Sequence, residues 1–393
     1  MEISSRVSQI DASPTLAISA QAKELCQQGK NVISLGAGEP DFNTPLHIKE
    51  AAKEAMAAGF TNYTATVGTK ELRTAVTDRF NKQKKIEYSS EQVIVSPGAK
   101  YALFLTLQVL VDEGDEVILP APYWVSYPQQ VKFAGGKMKA VETKEENDFK
   151  LTSQELKDSI TPQTKVLILN TPSNPTGAIY SQEELAKIAE IAIKEDIMII
   201  ADEIYQQISY DKEAVSIASL GEEIKEQTVI IDGVSKAYAM TGWRIGFAVG
   251  PQEVIAAMAC LQSHSTSSAN SIAQKASVAA LSGTHAPTEK MKKAFKQRRD
   301  LIVEQINQIP SFKAKKPAGA FYLFVNVKDA LGQKINGEKI TNDQKLANLL
   351  LQEAGVATIP GSFFGKDGYL RMSYATSESE IKTAINKIKD FLA

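Results

Sequence analysis

Short apolar runs alternate with longer stretches of mixed polarity through the middle of the chain. The segments 93–96, 116–119, 165–170, 197–201, 228–231 and 246–250 are rich in Val and Ile. Runs of this length and composition predict strands buried on both faces. Helical patterns lie between several of them. One covers 100–111, after Pro97-Gly98; another covers 183–195, opened by a capping box of Ser181 with Glu184. Such alternation predicts an α/β fold, a mostly parallel sheet with helices on both faces.

The last third changes period. A long charged helix is expected from about 288 to 309, then a strand at 321–327 just after the break Pro317-Ala318-Gly319. A helix near 343–354, a strand at 369–374 and a final helix opened by Ser377 with Glu380 complete it. This region reads as a smaller α+β domain.

Composition narrows the class. With 393 residues the chain exceeds what one core usually supports, so two domains are expected. A 43% hydrophobic and 23% charged make-up is that of a globular protein. Forty-four basic against 46 acidic residues leave a net charge of −2, which argues against nucleic acid as a main partner. Cys26 and Cys260 are the only cysteines, too few for a disulfide framework. The polar N-terminal stretch has no apolar signal region, and no 18-residue apolar run suggests a membrane helix. A reduced, cytoplasmic setting is expected.

Candidate chemistry centres on Gly233-Val234-Ser235-Lys236-Ala237-Tyr238-Ala239-Met240-Thr241-Gly242-Trp243-Arg244-Ile245-Gly246. Lys236 follows an apolar strand at a small-residue turn, and Arg244 stands eight positions on. A lysine whose pKa is lowered by burial and a neighbouring cation can form a Schiff base. Arginine's planar fork suits an anionic phosphate. Taken alone, this pair equally describes a loop lysine and a surface arginine. Four further segments surround it. Ser96-Pro97-Gly98-Ala99-Lys100 opens a helix, where free backbone N–H groups can hold phosphate. Asn170-Thr171-Pro172-Ser173-Asn174-Pro175-Thr176-Gly177 ends a strand, which a plain turn would also explain. Asp202 ends a very apolar strand, where an unpaired buried carboxylate is costly. Arg371 interrupts the short strand Leu370-Arg371-Met372-Ser373-Tyr374.

In this order the five segments resemble the fold-type I pyridoxal-phosphate aminotransferases of class I. The resemblance runs from Leu35-Gly36-Ala37-Gly38-Glu39-Pro40-Asp41-Phe42 to Arg371. Ala121-Pro122-Tyr123-Trp124-Val125-Ser126-Tyr127-Pro128 is similar to the bacterial aspartate aminotransferase subgroup. The resemblance implies an N-terminal arm over 1–14, a small domain formed by 15–45 with 286–393, and a large cofactor-binding domain over 46–285.

It also implies roles. Lys236 would hold pyridoxal phosphate and serve as general base and acid. Asp202 would pair with the pyridine nitrogen. Tyr205 and Asn174 would reach the phenolic oxygen, and Trp124 would stack on the ring. Ala99, Lys100, Ser235 and Arg244 would hold the phosphate. Gly233 stands where the family commonly has a phosphate-binding serine, so that contact is not carried over. Tyr63 would reach the phosphate of a neighbouring subunit in a homodimer. Arg371, with Asn174 and the Gly38 N–H, would bind the substrate α-carboxylate.

For substrate, the side-chain carboxylate of aspartate needs a cation, and Lys100 sits at the place that serves in this subgroup. Thr15 lies in the segment that closes over substrate. Amino-group transfer from aspartate to 2-oxoglutarate is therefore expected, with ping-pong kinetics. Aromatic amino acids or prephenate as substrates, a carbon–sulfur lyase and a non-catalytic regulator are the alternatives.

Overall fold

The computed structural model describes residues 3–392, so residues 1, 2 and 393 of the expected arm and small domain lie outside it. Its main sheet has seven strands: β1 (Val93–Ser96), β2 (Glu116–Ala121), β3 (Lys137–Glu142), β4 (Thr164–Asn170), β5 (Met198–Asp202), β6 (Thr228–Gly233) and β7 (Gly246–Val249). In space they run β1-β7-β6-β5-β4-β2-β3. All are parallel except β7, which is antiparallel to both neighbours. Six of these strands follow the apolar runs seen in the sequence. β3 does not: its Lys137-Met138-Lys139-Ala140-Val141-Glu142 is mostly exposed at the sheet edge. Charged side chains suit an edge, where they discourage pairing with another chain, and they hide the strand from a search for apolar runs.

Burial on both faces is visible residue by residue. Val117, Leu119, Val166, Ile168 and Ile200 enter one hydrophobic cluster. The alternate positions Ile118, Leu167, Leu169, Ile199 and Ala201 enter another on the opposite face. The helix Gln182–Lys194 covers the second face, and the Ser181–Glu184 capping box is formed. The helix Ala99–Leu110 covers the first.

A second, four-stranded antiparallel sheet contains Lys313–Ala314, Tyr322–Asn326, Ile359–Pro360 and Tyr369–Ser373. Helices Ala286–Ile306, Asp343–Gln352 and Glu378–Leu392 bury Phe295, Leu346 and Ile385 in the cluster shared with this sheet. Far upstream in sequence, Ile33–Ser34 pairs in parallel with Val356–Ala357.

Beneath the carboxyl ends of β5 and β6 lies a buried ionic group. Lys84 bonds to Glu203 and approaches Asp232 at 3.5 Å, and Arg79 meets Asp232 at 3.4 Å. Both cations come from the helix Lys70–Lys84, so the pairs fasten that helix under the sheet rim. Removing one partner strands the others in low dielectric. Lys84→Met is expected to cost about 3–5 kcal/mol, measured from urea unfolding midpoints. Adding Glu203→Gln should recover part of that loss.

Candidate active site

The strand ends set the site. β1, β2, β4, β5 and β6 all finish at one rim of the sheet, and antiparallel β7 begins there. Ligands of open α/β sheets bind outside the carboxyl ends of the strands. A cavity of about 290 Å³ opens at this rim. It is lined by Thr15, Gly38, Ala99, Lys100, Trp124, Asn174, Asp202, Tyr205, Ser235, Lys236, Arg244 and Arg371. Of the site residues expected from sequence only Tyr63 stands outside, 93% exposed.

Asp202 ends β5 fully enclosed. Its carboxylate accepts from the Tyr127 hydroxyl (2.8 Å) and the Ile204 N–H (3.3 Å). Burial pushes its pKa up to about 6, against the bonds from Tyr127 and Ile204, which lower it. Neutral donors therefore leave much of the desolvation cost uncompensated. A cation placed against this carboxylate would supply the balance.

Lys236 follows β6, and its Nζ donates to the Gly38 carbonyl. Burial lowers its pKa to about 8, opposed by Glu39 and aided by Arg371 and Arg244. An amine in that range is readily available unprotonated for attack on a carbonyl.

Phosphate chemistry has its own corner. The helix Ala99–Leu110 starts at the rim after Gly98, whose φ is +92°. A Cβ there would stand 2.3 Å from Arg244 Nη2, so the guanidinium packs directly on the turn. Gly246 is equally constrained: its Cβ would fall 2.0 Å from the Ala99 nitrogen. The helix start and Arg244 are thus held together, with the first-turn N–H groups and a cation facing the same cavity.

Arg371 comes from the strand Tyr369–Ser373 and is buried. It donates to Asn174 Oδ1 (3.0 Å) and the Gly36 carbonyl (2.8 Å), while its Nε has no partner among the described residues. A buried guanidinium with a spare donor is suited to a carboxylate. Lys100 Nζ lies 4.8 Å from the centre of the Trp124 ring, and burial and Arg244 lower its pKa.

These features match pyridoxal phosphate part by part: a cation-deficient carboxylate for the ring nitrogen, an available amine for the aldehyde, an anion cradle for the phosphate and an aromatic wall for the ring. Two participants escaped the sequence. Tyr127 sits inside the Ala121–Pro128 motif and Tyr322 inside the strand expected at 321–327, and the sequence assigned neither a role. Tyr322 is 1% exposed, and its hydroxyl lies 2.8 Å from that of Tyr205.

Comparison with known proteins places the chain among recognised sequences. Residues 30–388 match the family model "Aminotransferase class I and II". The aspartate aminotransferase of Bacillus subtilis (strain 168) is 49% identical over 393 residues, 100% of this chain and 99% of that protein. A probable aspartate/prephenate aminotransferase of Aquifex aeolicus is 44% identical, covering 99% of this chain and 98% of that protein. The crystal structure of the aspartate aminotransferase from Rhizobium meliloti superposes with a TM-score of 0.97 at 42% identity, covering 100% of this chain and 99% of that one.

The raised pKa of Asp202 has a sign. Between the ordinary value of 3.8 and about 6 the folded protein holds more protons here than the unfolded chain. Stability contributed by this group therefore falls as pH rises through that window. In ligand-free protein, Asp202→Asn is expected to gain stability over the natural chain as pH rises from 4 to 7, by up to about 3 kcal/mol. Urea midpoints across that range measure it; a constant gap with pH would refute the assignment.

Proposed function

The chain belongs to the class I and II aminotransferase family, and from that premise we propose that it moves the amino group of L-aspartate to 2-oxoglutarate with pyridoxal phosphate as its resident cofactor. The products are oxaloacetate and L-glutamate. The observation that carries the substrate assignment is the set of cations on one cavity. Arg244 belongs to the phosphate cradle at the helix start. With Lys236 assigned to the cofactor, Arg371 and Lys100 remain, two cations for the two carboxylates of a dicarboxylic substrate.

When bound, the cofactor supplies an aldehyde carbon and an electron-poor ring that draws electron density from the substrate α-carbon. Lys236 would hold the cofactor through its amine. Its Nζ, when free, would act as general base and then acid toward the substrate α-proton. Its lowered proton affinity suits both halves of that task. Asp202 would pair with the cofactor's ring nitrogen, with its carboxylate fixed by the Tyr127 hydroxyl. Tyr205 and Asn174 would serve its phenolic oxygen, and Trp124 would cover its ring. Ala99, Lys100 and Ser235 offer phosphate donors beside Arg244. Arg371, aligned by Asn174, binds the α-carboxylate with the Gly38 N–H assisting. Lys100 meets the side-chain carboxylate, and Thr15 closes the cavity from the N-terminal side.

We read the chain as an arm (1–14), a small domain (15–45 with 286–393) and a large domain (46–285). Pairing of Ile33–Ser34 with Val356–Ala357 supports the join of the outer segments. A homodimer is part of the reading, and the fully exposed ring of Tyr63 supports it as the residue offered to a second subunit's phosphate. A cytoplasmic setting is supported by two exposed, unbridged cysteines. Among the described residues no helix is long and apolar enough to cross a membrane.

Aspartate is expected to bleach the cofactor's visible absorbance band, and 2-oxoglutarate to restore it. An unresponsive band would shift the reading to aromatic substrates or prephenate; pyruvate with ammonia as products would indicate the carbon–sulfur lyase. Initial-velocity lines should be parallel. Lys100→Ala should lower kcat/KM for aspartate by about 10- to 100-fold, the worth of a charge-assisted bond. Activity on alanine or phenylalanine should hold; equal loss on all substrates would remove Lys100 from its role.

A further inference from the structure

We propose that Tyr322 is a positioning residue whose hydroxyl donates to Tyr205 and so aims the Tyr205 proton into the cofactor site. The inference rests on the assignment of Tyr205 to the phenolic oxygen.

The two hydroxyls lie 2.8 Å apart and are both buried. A phenol carries one proton, so one of them donates and the other accepts. If Tyr205 donated to Tyr322, it would show the cavity only lone pairs, facing an oxygen that itself needs a donor. With Tyr322 donating, the Tyr205 proton is free to point into the cavity. Burial holds both phenols in their protonated forms. An oxygen that accepts a hydrogen bond also becomes a better donor through its own O–H.

Packing leaves the Tyr322 ring little choice of position. It stands edge-on to Tyr205, with centroids 5.6 Å apart and planes at 80°. Arg371 Cζ lies 4.5 Å from its ring centre. Tyr322 and Arg371 come from adjacent strands in fixed antiparallel register, Tyr322 opposite Ser373 and Phe324 opposite Arg371. A Cβ on Gly38 would stand 3.4 Å from the Tyr322 hydroxyl, so the loop whose carbonyl accepts from Lys236 closes over it. One side chain therefore packs against Arg371, the Gly38 segment and the Tyr205 hydroxyl. Only its oxygen bears on the last.

Tyr322→Phe separates these contacts, since it keeps the ring under Arg371 and deletes the donor. The readout is the pH titration of the visible absorbance of the holoenzyme, which follows the proton on the nitrogen joining Lys236 to the cofactor. Donation to the phenolic oxygen draws charge away from that proton, so weaker donation raises the titration midpoint. Tyr322→Phe is expected to raise it by about 0.3 pH unit, a fraction of one charge-assisted hydrogen bond. Placed in a Tyr205→Phe background it should add no further shift. KM for aspartate and affinity for a dicarboxylate inhibitor should stay within about twofold, because the Arg371 contact survives. A midpoint that stays put or moves down in Tyr322→Phe, while Tyr205→Phe moves it up, would overturn the relay and leave the Tyr205 assignment standing. No shift in Tyr205→Phe would overturn the assignment, and the relay with it.

Discussion

A carboxylate buried at the end of a strand, with no salt-bridge partner among the described residues, is the constraint around which this site is arranged. Asp202 is hydrogen-bonded by Tyr127 and Ile204, yet burial still drives its pKa to about 6. A group in that condition costs the fold stability and is retained for what it can later pair with. One residue on, Glu203 is also buried, but it has Lys84. The two carboxylates face different surroundings from adjacent positions: one is paired with Lys84 inside the scaffold, the other has only neutral donors and lines the cavity. Alternation along β5 into the turn produces that split.

Much of this was legible in the sequence, for identifiable reasons. Strands buried on both faces carry unbroken Val and Ile, so six of the seven in the main sheet declare themselves. The edge strand Lys137–Glu142 was silent because its environment asks for charges. Candidate site residues stood out where a charged group followed, ended or interrupted an apolar strand, as at Lys236, Asp202 and Arg371. The family resemblance then placed Trp124, Asn174, Lys100 and Thr15, which local pattern alone would have left as core, turn and surface. Tyr127 and Tyr322 stayed hidden since a tyrosine in an apolar run looks the same whether its hydroxyl is idle or bonded to a reacting neighbour. Their roles depend on contacts 75 and 117 residues away in sequence.

Charge is sorted across the cavity with little overlap. The phosphate corner is built from backbone at Gly98 and Gly246 with Arg244 seated against the turn. A second corner is built from Arg371, held by Asn174 and the Gly36 carbonyl. Between them lies Lys236, whose proton affinity burial lowers, which fits its assignment to a task in which a proton must come and go.

The reversed direction of β7 has one more effect. Because β6 ends and β7 begins at the same rim, Lys236 and Arg244 belong to one short connection between two hydrogen-bonded neighbours. The span from the lysine nitrogen to the Arg244 guanidinium is therefore measured out by a single loop, pinned at both ends by the sheet. Under the proposed assignment that loop would act as a built-in gauge for the length of the cofactor, set by the sheet and not by the segments that carry Arg371 and Thr15.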